Sequence, residues 1–558
     1  MKNENRFIDR ETPVPPLLLW AALLLLAAAY ITGLFPDIME VDAAQYASIA
    51  REMAETGEYL QVKHRYADYL DKPPLLFWLS SLSISAFGVS AWAYKLPSFL
   101  FTLLGLWSVF RFTLIYYPRK VAWYALFILA SCQAWFMFNN DVRTDTLLAG
   151  AVIFSVWQLS RYIEYKSFWG LILGSLGIAA AMLAKGPIGL MSPVLAIGSH
   201  LFFSRNWKGF FKPGWLLMLI IVGALLMPMS YGLYKQYGYE GLKFFFWTQS
   251  FGRITGENEW RNDAGYFYFT HTFLWAFLPW ALLAIPALLK SVSCLIKNKF
   301  KNGKSLPETA SLFGFILPFI ALSFSHYKLP HYIFVTFPFM AVITASFIYQ
   351  VMEYPKKAVW ATVPLGLGSL GLICISGAAC MYVFPFGTKW ILLFMGGLIL
   401  YITLMFMLRK KILPVEKIVF AAIFSAGLAN IQLNTLFYPE LLSYQPGKTA
   451  AEWLSNQASE TKPGMYYITD HPLEFHAKQI FPYLTSENIE PFITKNPDHV
   501  IYTDEFGKSD IERFGYKTTV KAEFKQHHPG LLTINFLNPK TRESSLQKRY
   551  WLSVEKQP

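Results

Sequence analysis

The feature that most constrains this chain is a series of long apolar segments separated by short charged loops. Each segment is long enough to cross roughly 30 Å of hydrocarbon with some tilt. Because the backbone polar groups of a membrane span must be satisfied internally, such segments fold as helices. The segments cover residues 17–35, 97–117, 121–138, 145–163, 169–184, 187–204, 214–234, 266–290, 309–325, 330–350, 357–384, 388–408 and 415–438. The sequence therefore predicts an all-α polytopic membrane protein with about thirteen transmembrane helices.

Composition and charge exclude two other classes of protein. A chain of 558 residues with 54% hydrophobic and only 15% charged residues is too apolar for an ordinary soluble enzyme. The net charge of +13 does not indicate a nucleic-acid-binding protein, because the basic residues lie between apolar segments. The four cysteines are predicted to be packing residues, since they lie in or beside apolar segments without the spacing of metal ligands. They are Cys132, Cys294, Cys374 and Cys380.

The loops between the predicted helices alternate between two kinds, and this alternation predicts their orientation. Every second loop, beginning with residues 1–10, is short and rich in lysine and arginine. Basic loops of this kind stay on the cytoplasmic side of the membrane. The N-terminal segment has no small-residue cleavage site, so it is predicted to be an anchor rather than a removed signal peptide. The odd number of helices then places the C-terminal residues outside the cytoplasm.

The opposite loops mix acidic, basic and aromatic residues at the ends of the predicted helices. The first of them, residues 40–74, contains a predicted amphipathic helix over 42–55 with Glu40 or Asp42 as its N-cap. The short apolar run that follows, residues 75–89, is predicted to be interfacial or re-entrant.

Charged loops are often simply solvated. Ionisable groups at the edge of a membrane usually face a cavity or pathway, so we expect a site at the outer surface.

Five motifs on these outer loops carry a resemblance to a known family. In chain order they are Asp42-x-x-x-Tyr46, Asp71-Lys72-Pro73, Arg143-x-Asp145, Phe244-Phe-Phe-Trp247…Gly252-Arg253 and Lys328-Leu-Pro-x-Tyr332. Together they resemble polytopic glycosyltransferases of the GT-C fold, in particular the bacterial lipid A aminoarabinose transferases and the protein O-mannosyltransferase family. The resemblance covers roughly residues 16–440. It implies an inverting enzyme of the bacterial cytoplasmic membrane that moves a sugar from a polyprenyl-phosphate carrier to an acceptor on the outer face.

The resemblance also implies which residues hold the donor. Breaking a sugar–phosphate bond leaves a phosphate dianion, whose charge must be stabilised by cations. The residues expected to bind the donor phosphate are Lys72, Arg143, Arg253 and Lys328. Tyr46 and Tyr332 are expected to hydrogen-bond the sugar or the phosphate, although tyrosines at a membrane interface commonly serve as anchors.

Two carboxylates are expected to be catalytic. An attacking hydroxyl needs a carboxylate to accept its proton, whereas an acceptor phosphate is already nucleophilic and mainly needs orientation. Asp42 is expected to be this base or to position the acceptor. Asp145 begins a predicted helix, where a carboxylate either caps the helix or holds the cations of the site in place.

The sequence departs from the aminoarabinose transferases at three positions. Their Glu-Lys pair is Asp71-Lys72 here, and Ser250 stands in place of a histidine that joins the glutamate on a metal. A divalent metal at Asp71 is therefore left open as the one cofactor to consider. His271, His326 and His331 are near enough in the predicted topology to replace that histidine, although a lone histidine in such a place is more often a hydrogen-bonded polar residue. The arginine expected shortly after the first aspartate is Gln45, which predicts a difference in carrier or acceptor recognition.

The chain changes character after the last predicted helix. Residues 441–558 contain no spanning segment. The predicted strands are 465–469 and 499–503, and the predicted helices are 450–454 and the stretch after Asp510. We therefore predict a transmembrane glycosyltransferase domain over 1–440 and a soluble extracytoplasmic α/β domain over 441–558.

Three alternatives stand beside a glycosyltransferase that acts on a lipid A-like glycolipid. A protein O-mannosyltransferase-type enzyme would use the same class of donor with a protein acceptor. A secondary transporter would share the hydropathy, but it would place its polar groups near the bilayer midplane within repeated halves. A structural membrane protein would not need acids and cations in several loops. The expected partners are a polyprenyl-phosphate-sugar donor, a glycolipid or protein acceptor and membrane lipid, with no nucleic acid.

Overall fold

The computed structural model of the chain describes residues 14–249, 264–303, 306–352, 359–385 and 413–556, with isolated residues at 252, 262, 387, 395, 396, 399, 402, 403 and 406. These residues are mostly α-helical. The first eleven helices are α1 Pro16–Thr32, α2 Asp42–Thr56, α3 Leu75–Phe87, α4 Ala91–Tyr116, α5 Arg119–Ser131, α6 Gln133–Asn140, α7 Thr144–Glu164, α8 Phe168–Lys185, α9 Ile188–Phe203, α10 Trp207–Phe210 and α11 Gly214–Lys243. Further helical segments before the C-terminal region are Phe244–Thr248, Tyr268–Ala276, Ala281–Lys297, Ala310–Ser323, the 3-10 segment Pro330–Thr336, Phe337–Met352, Val359–Ala378, Ala379–Val383, Pro414–Gln432, Leu433–Phe437 and Tyr438–Leu442.

The described residues confirm a polytopic helical membrane protein. Seven helices in them are long and apolar enough to cross a membrane, or up to nine if each of two bent helix pairs is one span. The bent pairs are α5 with α6, at 51°, and Tyr268–Ala276 with Ala281–Lys297, at 117°. Four apolar helices are shorter: α1, α3, α9 and Ala310–Ser323. The predicted number of about thirteen is higher than this count, and one predicted span, 388–408, falls largely outside the described residues.

Helix α2 orders the opening loop, which is the name used here for residues 40–74. It ends at Gly57, whose φ of +72° is the left-handed C-cap conformation that glycine adopts without strain. The predicted N-cap is wrong, since Val41 holds that position and no side chain caps the helix. Asp42 turns its carboxylate to Arg143 instead. The backbone N–H of Glu40 donates to Gln445 Oε1 at 2.7 Å.

A short hairpin follows α2 and is fixed to it. Strand β1 (Lys63–His64) pairs antiparallel with β2 (Ala67–Asp68). The two turn residues, Arg65 and Tyr66, have φ of 56° and 63°, as in the primed turns that match the twist of a hairpin. The buried carboxylate of Glu52 accepts a hydrogen bond from each turn amide, both at 2.8 Å. The hairpin and α2 therefore form one unit.

The C-terminal region contains a five-stranded sheet with the strand order β4-β3-β5-β7-β6. The strands are β3 Lys462–Tyr466, β4 Tyr483–Leu484, β5 His499–Asp504, β6 Tyr516–Gln526 and β7 Gln547–Lys556, and the helices are Gly447–Ser455, His471–Ala477, Ile489–Lys495, Glu505–Arg513, Ile534–Leu537 and Arg542–Ser545. β3 pairs in parallel with β4 and β5, whereas β7 pairs antiparallel with β5 and β6. The predicted strand 499–503 and the predicted helix 450–454 are confirmed, whereas the predicted strand 465–469 is wrong beyond Tyr466, because the observed strand is Lys462–Tyr466. The prediction of a helix after Asp510 is wrong beyond Arg513, because Gly515 turns at φ +82° and the following residues pair along β7.

Polar contacts join the sheet region to the opening loop and to the residues that follow α1. Arg65 NH1 lies 3.0 Å from Glu474 Oε1, and Arg65 NH2 donates to the carbonyl of Phe481 at 2.7 Å. His476 Nε2 lies 2.9 Å from Asp37 Oδ1. The opening loop is therefore held between the helices and the sheet. The predicted domain boundary at 440–441 stays a prediction.

Candidate active site

A cavity of about 170 Å³ lies where the opening loop meets the ends of several helices. Its polar and charged lining residues are Asp42, Tyr46, Lys72, Arg143, Asp145, Lys185, Ser192, Gln249, Ser325, His331 and Tyr332. Its apolar lining comes mainly from two helices, with Ile188, Met191 and Leu195 from α9 and Pro318, Ala321 and Leu322 from Ala310–Ser323. The cavity therefore combines charged groups with an apolar wall. Of the residues predicted for the site, it brings together Asp42, Tyr46, Lys72, Arg143, Asp145 and Tyr332.

Helix termini place most of the charged groups. Asp42 and Asp145 lie in the first turns of α2 and α7, where the helix dipole favours a carboxylate. Lys185 is the last residue of α8, where the dipole favours a cation. Residues 330–336 form the 3-10 segment that carries His331 and Tyr332. The site is thus assembled from the ends of separate elements.

Arg143 pairs with two carboxylates. Its NH1 group donates to Asp42 Oδ2, and its Nε donates to Asp141 Oδ2 at 2.7 Å. Burial alone would lower the pKa of the Arg143 guanidinium, but the charges of Asp141 and Asp42 raise this pKa well above its ordinary value. The arginine predicted to follow the first aspartate is absent at Gln45, and the guanidinium beside Asp42 comes from Arg143.

Asp145 is buried and lies between two basic side chains. Its carboxylate is only 4% exposed, and it accepts a hydrogen bond from the Lys185 ammonium. His331 Nε2 lies 3.6 Å from the other carboxylate oxygen. Lys185 also lies 4.1 Å from the centroid of the Tyr332 ring, in a cation–π contact. Asp145 thus contacts Lys185 and lies near His331, and its predicted roles stay predictions.

Sequence reasoning did not assign Lys185 to the site, and it considered His331 only as a possible replacement for the missing metal-binding histidine. The loop pattern could have indicated both residues, because each lies at a helix end in the set of loops that is predicted to face outward. Gln249 was missed as well, and its side-chain amide donates to the carbonyl of Asp71. The sequence contains no spacing that joins these residues, since they come from distant parts of the chain.

Asp71 is the residue at which a metal was considered, and its carboxylate is paired with Lys72. Lys72 Nζ lies 2.5 Å from Asp71 Oδ2. The part of the chain that the structure describes contains no group of three or more His, Cys, Asp and Glu side chains that could hold a metal ion. The Lys72 ammonium already neutralises the Asp71 carboxylate, which makes it a poor ligand for a metal cation. These residues do not fit a metal site, so no step is routed through a metal.

Three other predicted positions lie elsewhere or cannot be placed. Lys328 is buried and does not line the cavity, because its Nζ donates to the carbonyl of Ala264 at 2.7 Å. Its ammonium also lies 5.6 Å from the Tyr266 ring centroid. Arg253 and Ser250 lie outside the described residues, so their roles stay predictions.

Tyr46 is a buried tyrosine that lines the cavity. Burial and the charge of Asp42, one helical turn away, raise the pKa of Tyr46 well above its ordinary value. Its hydroxyl therefore stays protonated at neutral pH. Its ring lies against Phe77 of α3 with ring centroids 5.7 Å apart. Tyr46 thus packs against α3 and lines the cavity.

Similar proteins are found by sequence. The family model described as dolichyl-phosphate-mannose-protein mannosyltransferase matches residues 71–231. The undecaprenyl phosphate-alpha-4-amino-4-deoxy-L-arabinose arabinosyl transferase of Shewanella sediminis is 24% identical over 354 residues, which are 62% of this chain and 62% of that protein. The transferase of the same name from Edwardsiella ictaluri is 24% identical over 379 residues, 64% of this chain and 65% of that protein. The chain thus spans less than two thirds of the length of these curated relatives.

Two crystal structures share the fold over almost the whole chain. ArnT from Cupriavidus metallidurans in the apo state has a TM-score of 0.71 and 17% sequence identity, covering 91% of this chain and 95% of that chain. The same protein bound to undecaprenyl phosphate has a TM-score of 0.70 and 17% identity, covering 96% and 97%. The resemblance to GT-C glycosyltransferases predicted from the motifs is confirmed.

Proposed function

We propose that this chain is an integral membrane glycosyltransferase that moves a sugar from a polyprenyl-phosphate carrier to an envelope acceptor. The observation that carries this proposal is the cavity, in which three cations and two carboxylates border an apolar wall. A polyprenyl-phosphate sugar has two matching parts, a charged head and an apolar chain. The structure of ArnT bound to undecaprenyl phosphate, whose fold this chain shares, supports the same class of donor.

The reaction proposed is an inverting displacement. The acceptor oxygen attacks the anomeric carbon from the face opposite the phosphate. A new carbon–oxygen bond forms while the bond from that carbon to the phosphate oxygen breaks, and the electron pair leaves with the polyprenyl phosphate. Lys72 and Lys185 stabilise the charge that grows on the phosphate, because both lysines line the cavity. Asp42 accepts the proton of a hydroxyl acceptor, or orients a phosphate acceptor.

A lipid A-like glycolipid is the favoured acceptor. The motifs resemble the lipid A aminoarabinose transferases, and the curated relatives are named as undecaprenyl-phosphate aminoarabinose transferases. The alternative is a protein acceptor, which the description of the matching family model favours. A transporter is the remote alternative, and the position of the charges at helix ends speaks against it.

Product analysis tests the function directly. Purified protein is incubated with polyprenyl-phosphate sugars labelled in the sugar, together with envelope glycolipids and envelope proteins. Label in a glycolipid supports the favoured acceptor, and label in protein supports the alternative. In reconstituted vesicles, movement of the label across the membrane without a new product would support a transporter and contradict the proposed function.

We also propose the full membrane topology. The short helices α1, α9 and Ala310–Ser323, together with residues 388–408, supply the spans that complete the predicted thirteen, and α3 remains interfacial. This topology places the cavity and the sheet region outside the cytoplasm, in line with the basic loops on the opposite side. The basic loops occur at every second position from residues 1–10 to residues 409–411, and this regular spacing supports the predicted number of spans.

Cysteine labelling in intact cells tests this orientation. In a Cys374→Ser background, Lys478→Cys is expected to react with a membrane-impermeant maleimide, because Lys478 is exposed in the sheet region. Lys301→Cys, which is also exposed, is expected to react only after the cells are opened. Labelling of both positions from the same side contradicts the topology.

Replacement of Lys72 with methionine is expected to weaken the binding of undecaprenyl phosphate at least about tenfold. A pair of charges ~4 Å apart at an effective dielectric of ~20 interacts by about 4 kcal/mol before desolvation, and ~1.4 kcal/mol is a tenfold change in affinity. Methionine keeps much of the length of lysine, so the packing changes little. Binding to purified protein is the measurement, with Lys63→Met in the same loop as the control. Equal affinity in Lys72→Met and the parent would refute this role for Lys72.

A further inference from the structure

We infer that Asp141 and Arg143 form a positioning unit that holds the Asp42 carboxylate toward the acceptor, an inference that rests on the proposed function. The sequence suggested a different role for Arg143, the binding of the donor phosphate, and it suggested no role for Asp141. The contacts of the three side chains support the new assignment. Asp42 is the group that meets the acceptor, and the other two act through it.

The guanidinium of Arg143 joins the two carboxylates through different nitrogens. Its Nε donates to Asp141 Oδ2 at 2.7 Å, and its NH1 donates to Asp42 Oδ2. A guanidinium is planar and rigid, so its N–H groups point in fixed directions relative to one another. Because Asp141 binds the Nε–H group of Arg143, it also fixes the direction in which the NH1 group of the same guanidinium points. Asp141 thereby determines where Arg143 holds the Asp42 carboxylate.

The position of each side chain relative to the cavity separates their roles. Asp42 and Arg143 line the cavity, and Asp141 does not. The Asp42 side chain is 40% exposed, whereas those of Arg143 and Asp141 are 22% and 24% exposed. Asp42 is therefore the most accessible member of the three. Asp141 is outside the cavity lining and contacts Arg143, which belongs to it.

Charge balance argues against Arg143 as a phosphate ligand. One guanidinium faces two carboxylates, so the three groups together carry a net negative charge. A donor phosphate would have to displace one carboxylate or approach this net negative charge. Lys72 pairs with Asp71 and Lys185 pairs with Asp145, so neither ammonium is shared between two carboxylates in these pairs as the Arg143 guanidinium is, and both lysines line the cavity. Arg143 is consequently assigned to the acceptor side of the reaction.

The backbone around Asp141 is held at a helix junction. Helix α6 ends at Asn140, and the backbone N–H of Asp141 donates to the carbonyl of Met137 at 2.9 Å. The Asn140 side chain donates to Asn434 Oδ1 at 3.0 Å, which ties the junction to a distant helical segment. A group that must orient a reacting carboxylate works best on such a fixed support.

Kinetics of Asp141→Asn and Arg143→Lys test the unit. Asparagine keeps the size of the side chain and removes its charge, and lysine keeps the charge but cannot hold two carboxylates in fixed directions. Both changes are expected to lower kcat by roughly 10- to 100-fold, since small misplacement of a reacting group can reduce a rate by about 10²-fold. The KM of the donor and the affinity for undecaprenyl phosphate are expected to stay at parental values. A purely structural role would instead reduce folded protein and leave kcat per folded molecule unchanged.

Combined variants provide the sharper test, because the effects of substitutions on kcat are not additive when the residues act as one unit. Asp42→Asn with Asp141→Asn is expected to be no slower than Asp42→Asn alone. A further loss in the double variant overturns the inference. So does an Arg143→Gln protein that binds undecaprenyl phosphate as weakly as Lys72→Met does, because Arg143 would then be a donor ligand.

A substrate-free measurement keeps this inference separate from the proposed function. If the parent protein transfers no sugar, the proposed function fails. The thermal unfolding midpoints of Asp42→Asn, Asp141→Asn and the double variant still measure the coupling of the two carboxylates. Non-additive shifts that disappear in an Arg143→Gln background support the unit. Additive shifts in the parental background overturn it.

Discussion

Asp42→Asn is expected to lower the rate of sugar transfer by about 10²–10⁴-fold, the range typical for loss of a general base. The carboxylate borders the cavity and is partly exposed, so asparagine removes its charge without leaving a void in a packed core. An alternative role as a helix cap is not supported, because no side chain caps α2. If the acceptor is a phosphate, the loss is expected near the lower end of this range, since only orientation is removed.

The measurement is the transfer rate per folded molecule at saturating donor and acceptor. Monodisperse elution in detergent and a parental unfolding midpoint establish that the variant is folded. Glu58→Gln is the matched control, because Glu58 is an exposed acid of the same opening loop that does not line the cavity. A parental rate in Asp42→Asn would move the catalytic role to another carboxylate, with Asp145 the next to test.

Lys185→Met is expected to lower the free energy of unfolding by ~3–5 kcal/mol, the effect of removing one partner of a buried ion pair. The partner that remains, Asp145, has a side chain only 4% exposed. Its negative charge would then be buried without the Lys185 ammonium, with His331 Nε2 3.6 Å away. Replacing both charges in Lys185→Met/Asp145→Asn is expected to restore most of the stability, because no buried charge is left without its partner.

Thermal unfolding of the purified protein in detergent measures this effect. Lys297→Met provides the control, since Lys297 is exposed at a helix end and has no role in the cavity. The double variant is expected to be folded and inactive, because the charges that stabilise the departing phosphate are changed. A Lys185→Met protein with the parental midpoint contradicts a structural coupling of Lys185 to Asp145.

Much of the fold and part of the site could be predicted from the sequence alone. Apolar segments predicted the helices because a bilayer leaves the backbone no other way to satisfy its polar groups. The grouping of Asp42, Lys72, Asp145 and Tyr332 at one cavity followed from loop alternation and from the motifs, and the structure places them together. The helix in the opening loop was predicted because its apolar residues recur every three to four positions.

Only the tertiary structure determined which charged side chains form ion pairs with one another. Arg143 contacts Asp42 across 101 positions of the chain, and Lys185 contacts Asp145 across 40. Lys328, which shares the outer-loop motifs, instead donates to the carbonyl of Ala264. Loop alternation determines which face of the membrane a helix end reaches. An ion pair forms only within ~4 Å, so its partners depend on the lateral packing of the helices, which the hydropathy pattern does not encode.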